Sequence, residues 1–339
     1  MRSALRWLMR GLLLLAVIGA AASGILFLFL KQELTFNPAP LAYDLKSGST
    51  LRGVARDLAA MGVMTTPGSA LLFEATGRLR GDATHIKSGN YEFESPTTPL
   101  KLLQKMTRGD ATQSAVRFID GWSFKQVRLA LDTHEALKHD TKDMTSQAIA
   151  CALGIPDAQP EGWIFPETFY FSRGSSDLAV LKRAHRLMQN HLNAQWNKRA
   201  ADLPLATPYE ALILASIIEK ETGKAADRAM VASVFVNRLR INMRLQTDPT
   251  VIYGMGDEYT GVIRRRDLQA DTPWNTYTRA GLPPTPIAMP GLAAIQAALN
   301  PADSKMLYFV ARGDGSSQFS RTLDEHNAAV YKYLRSGKK

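Results

Sequence analysis

Cysteine is almost missing from this 339-residue chain: Cys151 stands alone, so no disulfide can close within it and no cysteine-based metal site can be built. Histidine is sparse as well, six residues scattered without ligand spacing, so no metal is expected and nothing in the sequence asks for a cofactor. Charge is absent from residues 11–30, GLLLLAVIGAAASGILFLFL, twenty positions in a row. At about 1.5 Å per residue such a helix crosses roughly 30 Å of hydrocarbon. No second apolar run approaches that length, so the reading is a single-pass transmembrane helix.

Arg2, Arg6 and Arg10 precede the run, and only Lys31 and then Glu33 follow it closely. The positive-inside rule therefore makes residues 1–10 a cytoplasmic tail and puts everything after residue 31 outside. The rival is a cleaved signal peptide, because AASG lies in the run. Against it, the apolar stretch continues through ILFLFL and outlasts the ~7–15 residues of an ordinary h-region. Of the formal charge of +10, four cations lie in residues 1–31 with no acid among them, which leaves +6 on the exported part. A basic extracytoplasmic protein suits an acidic polymer or a lipid surface. Nucleic acid is not an expected partner, since the membrane separates the two and the charges are scattered apart from Arg264, Arg265 and Arg266.

The length exceeds one ordinary domain, and a hydrophobic fraction of 45% is that of a globular chain, so a large core with a satellite module is expected. Residues 31–44, with Pro38 and Pro40, read as an extended linker. In residues 48–64 Leu51, Val54, Ala55 and Leu58 recur at helical spacing behind a cap at Ser49. A second short helix is expected over 69–79, a strand over 89–96, a helix over 98–109 ending at Gly109, and a strand over 115–120. GWSFKQVRLALD echoes the earlier cap-and-helix pattern. These short alternating elements predict a small α+β module over 45–115. EGWIFPETFYF, 161–171, is aromatic-rich and reads as core ribbon in preference to a sugar-facing platform. A long amphipathic helix is expected over 177–200, and the rest as mainly helical with one hairpin, MLYFVA and QFS around GDGS. The domain reading is completed by 116–335 as the principal domain and 336–339 as a tail.

The chemistry lies in LASIIEKETG, 214–223. Thr207 with Glu210 forms a capping box and Pro208 follows, so a helix starts there. Leu212, Ile213, Leu214, Ala215, Ile217 and Ile218 cover nearly its whole circumference, which makes it a central helix. It ends in Glu219, on the face of Ala215 and Ser216, and Glu221, on that of Ile217 and Ile218, with Gly223 as the stop. Both acids meet the negative end of the helix dipole and partial burial, and both effects raise a carboxyl's pKa. A carboxyl kept protonated near neutral pH is what protonation of a glycosidic oxygen requires. The plainer reading is that one or both pair with Arg228, Arg238 or Arg240. RLQTDPTVIYGMG and PWNTYTRAGLPPTPIAMPG then supply amides, hydroxyls and rings on proline-stiffened loops, with Asp248 placed as an N-cap. Gln246, Thr247, Tyr253, Asn275 and Tyr277 are the candidates for holding a saccharide. His326 reads as structural, and no nucleophile triad is present.

LASIIEKETG, VASVFVNRLR, MRLQTDPTVIYGMG, WNTYTRAGLPPTPIAMPG and LYFVARGDGSSQFSRTLDEHN resemble the endolytic murein transglycosylases, the YceG-like or MltG proteins, in order from about residue 45 to 335 and with EGWIFPETFYF included. The resemblance implies an inner-membrane protein whose periplasmic part carries a LysM-like module and a mostly helical catalytic domain. It implies cleavage of the β-1,4 bond between N-acetylmuramic acid and N-acetylglucosamine within nascent glycan strands, leaving 1,6-anhydromuramoyl ends. The family's catalytic glutamate is the first acid of E-K-E-T, here Glu219, with Glu221 and Ser216 in support. Peptidoglycan strands are the implied partner, with peptidoglycan synthases as protein partners. The alternative is a membrane-tethered wall-binding scaffold without activity.

Overall fold

The structure, a computed structural model, describes residues 2–37, 39–155 and 159–335. Pro38 of the expected linker and the expected 336–339 tail lie outside the described residues. The fold is α+β, mostly helical with small two-stranded sheets, and the chain divides into two compact units, Met1–Ser114 with Tyr170–Gly174 and Ala115–Phe169 with Ser175–Lys339.

The first unit begins with helix α1 (Arg2–Lys31), whose segment Met9–Lys31 is long and apolar enough to cross a membrane. Strand β1 (Leu41–Leu45), helices α2 (Leu51–Ala60) and α3 (Ser69–Leu79), strand β2 (Gly89–Phe93) and helix α4 (Pro99–Arg108) follow. β1 and β2 pair antiparallel, Tyr43 opposite Tyr91, and their inward side chains meet Leu51, Val54, Leu58, Phe73, Leu102 and Leu103 in one core. Gly77 allows α3 to lie close to α2, since a β-carbon there would collide with the Leu51 side chain. The cap of α2 is Thr50, whose hydroxyl accepts from the Gly53 amide, and not Ser49. α4 is capped by Thr98 and closes on Gly109 at φ 78°. Residues 31–44, expected as a linker, are largely built into this unit. Leu34 exchanges backbone hydrogen bonds with Thr97, β1 begins at Leu41, and Phe29 at the end of α1 is buried in the same core. Alternating apolar residues outweighed the two prolines there.

The second unit holds most of strand β3 (Gln113–Arg117), then helix α5 (Phe124–Asp132), strand β4 (Leu137–Lys138) and helix α6 (Ser146–Leu153). Strand β5 (Thr168–Ser172) begins in it, and strand β6 (Ser175–Ser176) and helix α7 (Asp177–Trp196) continue it. Helices α8 (Pro208–Glu221), α9 (Ala225–Arg240), α10 (Asp248–Met255), α11 (Arg265–Gln269) and α12 (Leu292–Leu299) come next. Strands β7 (Tyr308–Ala311) and β8 (Ser317–Ser320) form the expected hairpin, and helix α13 (Leu323–Val330) follows. α5 starts on a reciprocal box between Ser123 and Gln126. In the aromatic ribbon Ile164, Phe165, Phe169 and Phe171 are buried, so it is core. α8 is the axis: Ala211 through Ile218 are all buried, and α7, α9, α10 and α12 pack around it. A helix apolar on every side has to be enclosed, and that fixes where its last turn emerges.

Candidate active site

Thr207 caps α8 by accepting from the Glu210 amide, while the Glu210 carboxylate accepts from Ala206. The far end differs from the expected glycine stop. Thr222 leaves the helix in extended conformation, φ −144°, and Gly223 follows without a left-handed turn. Ser216, fully buried, donates to the Ile213 carbonyl at 2.7 Å and accepts from the Ile287 amide at 3.0 Å, tying α8 to the proline-rich loop. Successive helical residues turn by about 100°, so Glu219 and Glu221 leave the last turn on opposite sides.

Glu219 points its Oε2 at the amide of Gly291, the residue that starts α12, which donates at 3.0 Å. Its side chain is 9% exposed, and the nearest cation, Arg228 Nη2, stays 3.9 Å from Oε1, a charge contact beyond hydrogen-bond reach. Burial raises its pKa most; the Gly291 amide opposes, the Asp120 carboxylate adds to the rise, and Arg228 and Lys220 oppose it further. Gly121 lies against it, close enough that a β-carbon there would sit 3.8 Å from Glu219 Cγ, and Lys220 Nζ donates to the Gly121 carbonyl at 3.3 Å.

Gly121 and Lys220 border a cavity of about 720 Å³ together with Glu161, Tyr253 and Trp274. Tyr253, one of the saccharide candidates, meets Trp274 edge-on at 5.5 Å and donates to Glu161 Oε2 at 3.4 Å. Burial is the main cause that lifts the Tyr253 phenol above its usual range. Glu161 is itself buried, and both its oxygens accept from the Phe124 amide, at 3.1 and 3.2 Å, at the start of α5. Burial pushes its carboxyl up to about 7, against the Phe124 amide, the Tyr253 hydroxyl, the Gly162 amide and Lys220.

Glu221 faces the other way. Its Oε1 accepts from the Thr247 hydroxyl, and burial is again the main cause that raises its pKa, opposed by that hydroxyl, with Asp248 adding and Arg238 opposing. Arg238 is buried beside it and donates to the carbonyls of Leu307 and Leu245 at 2.7 and 2.6 Å. A second cavity, about 530 Å³, opens here between Glu221, Gln246, Asp248, Tyr277, Tyr308 and His326. His326 stacks on Tyr308 at 5.2 Å, and burial, then Arg238, holds its imidazole below the usual range.

The saccharide candidates are therefore not gathered in one place. Tyr253 borders the cavity that Gly121 and Lys220 line; Gln246 and Tyr277 border the one that Glu221 lines. Thr247 and Asn275, two of the five, are buried and already engaged. Thr247 is 2% exposed and spends its hydroxyl on Glu221. Asn275 is 1% exposed; its Nδ2 donates to the carbonyls of Asp267, Leu268 and Ala270 and its Oδ1 accepts from the Tyr277 amide, so it brackets its own loop. Asp248 is the first residue of α10, not its cap, which is Thr247, and it accepts from the Tyr277 hydroxyl at 2.6 Å.

Two acids of this region escaped the sequence, Glu161 in the cavity wall and Asp120, whose charge acts on Glu219. Glu161 stood in plain view as an acid within an aromatic ribbon, a position where a carboxylate needs a partner. Asp120 carried no signal, because its neighbours come from α9 and α12, far along the chain. Away from the site, Asp132, His139 and Asp177 place side-chain atoms within 4.8 Å of one another. Asp177 there accepts from the Thr141 amide and hydroxyl and from the Leu178 amide, which accounts for its burial.

The sequence profile of the YceG-like family matches residues 43–332. The chain is 32% identical over 310 residues to the endolytic murein transglycosylase of Bacillus subtilis, covering 86% of this chain and 84% of that protein. It is 26% identical over 287 residues to the endolytic murein transglycosylase of Streptococcus pneumoniae serotype 2, covering 75% of this chain and 52% of that protein. A crystal structure described as a yceG-like protein from Listeria monocytogenes superposes with a TM-score of 0.54 at 29% identity, covering 85% of this chain and 98% of that one.

Proposed function

Because the chain belongs to the YceG-like family, we propose that it is a membrane-anchored endolytic transglycosylase that cuts the β-1,4 bond between N-acetylmuramic acid and N-acetylglucosamine inside peptidoglycan strands. The observation that carries this reading is the setting of Glu219: enclosed, held by one amide, free of a hydrogen-bonded cation and packed against Gly121, which borders an open cavity.

Glu219 enters the reaction protonated, as its surroundings favour. It gives its proton to the glycosidic oxygen as the C1–O bond breaks and the electron pair goes to that oxygen. The muramoyl C6 hydroxyl then bonds to C1, and its proton returns to Glu219, so no water is consumed. The N-acetyl group can share the positive charge at C1, as in other substrate-assisted glycosidases. Tyr253 and Trp274 offer ring faces to the strand, and Lys220 offers a cation to the peptidoglycan carboxylates. Thr247, Asn275 and Ser216 hold the scaffold behind.

The apolar helix α1 serves as a single inner-membrane span, with Arg2, Arg6 and Arg10 on the cytoplasmic side and both units periplasmic. In support of an anchor over a cleaved signal, a cut within AASG would leave Ile25, Phe27 and Leu28 exposed at the new terminus with nothing covering them. The first unit acts as a LysM-like glycan-binding module, and peptidoglycan synthases that release nascent strands are the fitting neighbours.

The test is digestion of purified glycan strands by the full-length protein in detergent, counting 1,6-anhydromuramoyl ends. Glu219→Gln should lower their rate of appearance about 10³-fold. Equal production by both proteins would end the assignment of Glu219, and no anhydro ends from the wild type would favour a scaffold.

A further inference from the structure

Gly291 has two acidic neighbours. Its amide donates to Glu219 at 3.0 Å, and on its Cα side a β-carbon would lie 2.7 Å from Asp120 Oδ1, 2.9 Å from Cγ and 3.1 Å from Oδ2. Its backbone, φ −75° and ψ 170°, is one that any residue adopts, so the glycine here answers to the Asp120 carboxylate and not to the turn. The two carboxyls thus stand on either side of one glycine, the N-cap of α12, where the helix dipole favours an anion. They share a counter-charge, since Arg228 from α9 acts on both.

The pair is unequal. Asp120 is exposed, whereas the Glu219 side chain is nearly closed off. Gly121, the next residue after Asp120, borders the large cavity. We infer that Asp120 is the second carboxylate of the reaction, an anion next to the cavity-lining Gly121 that faces the positive charge at the muramoyl C1 while Glu219 carries the proton. This rests on the proposed activity of Glu219.

The division of labour follows from environment. Glu219 feels the Asp120 carboxylate, and of two such neighbours the one in contact with water ionises first. Asp120 is lifted by partial burial, with Arg228 opposing, Glu167 adding and Arg117 opposing. As an anion it then adds to the forces that keep the proton on Glu219, alongside burial and against the Gly291 amide, Arg228 and Lys220. During bond cleavage Asp120 forms no bond and moves no proton. The C1–O electron pair leaves with the protonated oxygen, the cation at C1 lies opposite Asp120, and the C6 oxygen closes on C1 as before.

The experiment uses the full-length protein and the glycan-strand assay over a range of pH. Asp120→Asn should cut turnover on the order of 10²-fold, and it should move the alkaline loss of activity to lower pH, because the anion that holds the proton on Glu219 is gone. Asp120→Glu should restore part of the rate. Gly291→Ala should cost a similar factor in the wild type but little more in the Asp120→Ala background, where the methyl has room. An Asp120→Asn enzyme with wild-type turnover and an unmoved alkaline limb would overturn the inference while leaving Glu219 in its role. So would a Gly291→Ala penalty as large without Asp120 as with it. Should Glu219→Gln itself stay fully active, the underlying activity assignment fails instead, and the two failures remain distinct.

Discussion

Glu219 and Glu221 leave the same turn of the same buried helix and are treated in opposite ways. Glu221 accepts from a hydroxyl of the loop before α10, and its cationic neighbour Arg238 is spent on backbone carbonyls. Glu219 is left with a single amide and a cation too far for a hydrogen bond. Both carboxyls are pushed up by burial, so a raised pKa does not separate a reactive acid from a structural one. What differs is the kind of partner, a backbone amide for Glu219 and a side-chain hydroxyl for Glu221. Glu161 differs from both, with its two oxygens fixed by the start of α5 and by Tyr253.

The strongest challenge to this contrast is the paired exchange of both glutamates. Glu219→Gln should lose about 10³ in turnover with a melting temperature unchanged or slightly higher, whereas Glu221→Gln should keep most of its turnover. Equal losses in the strand assay would erase the distinction.

Next in size is a pH effect on stability from Glu161. Its folded pKa of about 7 lies above the ordinary 4.5, so the folded state holds a proton that the unfolded state has released across that interval. Stability is therefore fully present below about pH 4.5 and falls as pH rises to about 7, by on the order of 3 kcal/mol. Glu161→Gln should flatten that slope in denaturant titrations at a series of pH values; an unchanged slope would show that Glu161 is not its source.

Glu221→Gln should cost about 1–2 kcal/mol in the same titrations through its weakened tie to Thr247, while Glu219→Gln should cost less. Finally, wild-type turnover should fall at alkaline pH, about tenfold per unit once Glu219 ionises. A profile with an acidic limb alone would contradict a proton-donating Glu219.

Much of this architecture was readable in advance where its causes are local. The apolar spacing of Leu51, Val54, Ala55 and Leu58, the box at Ser123 and Gln126, the Gly109 stop and the β7–β8 hairpin each depend on residues within a few positions. The enclosure of α8 was legible too, because its composition leaves no wet face. What could not be read were choices between neighbours, Thr50 over Ser49 and Thr247 over Asp248, where either residue type would serve as a cap. Nor could the partners of Asn275 or Asp120 be read. An amide on a loop, such as Asn275, can serve a ligand or the loop itself, and its sequence neighbours do not show the carbonyls it meets.

The burial of Phe29 and Leu34 among the side chains of the first unit has a mechanical meaning. A helix whose last turn is part of a folded core acts as a stiff post and not as a leash. Where α1 sits in a bilayer, that unit is mounted at a set height above the lipid, so whatever it meets is limited to the layer passing at that level.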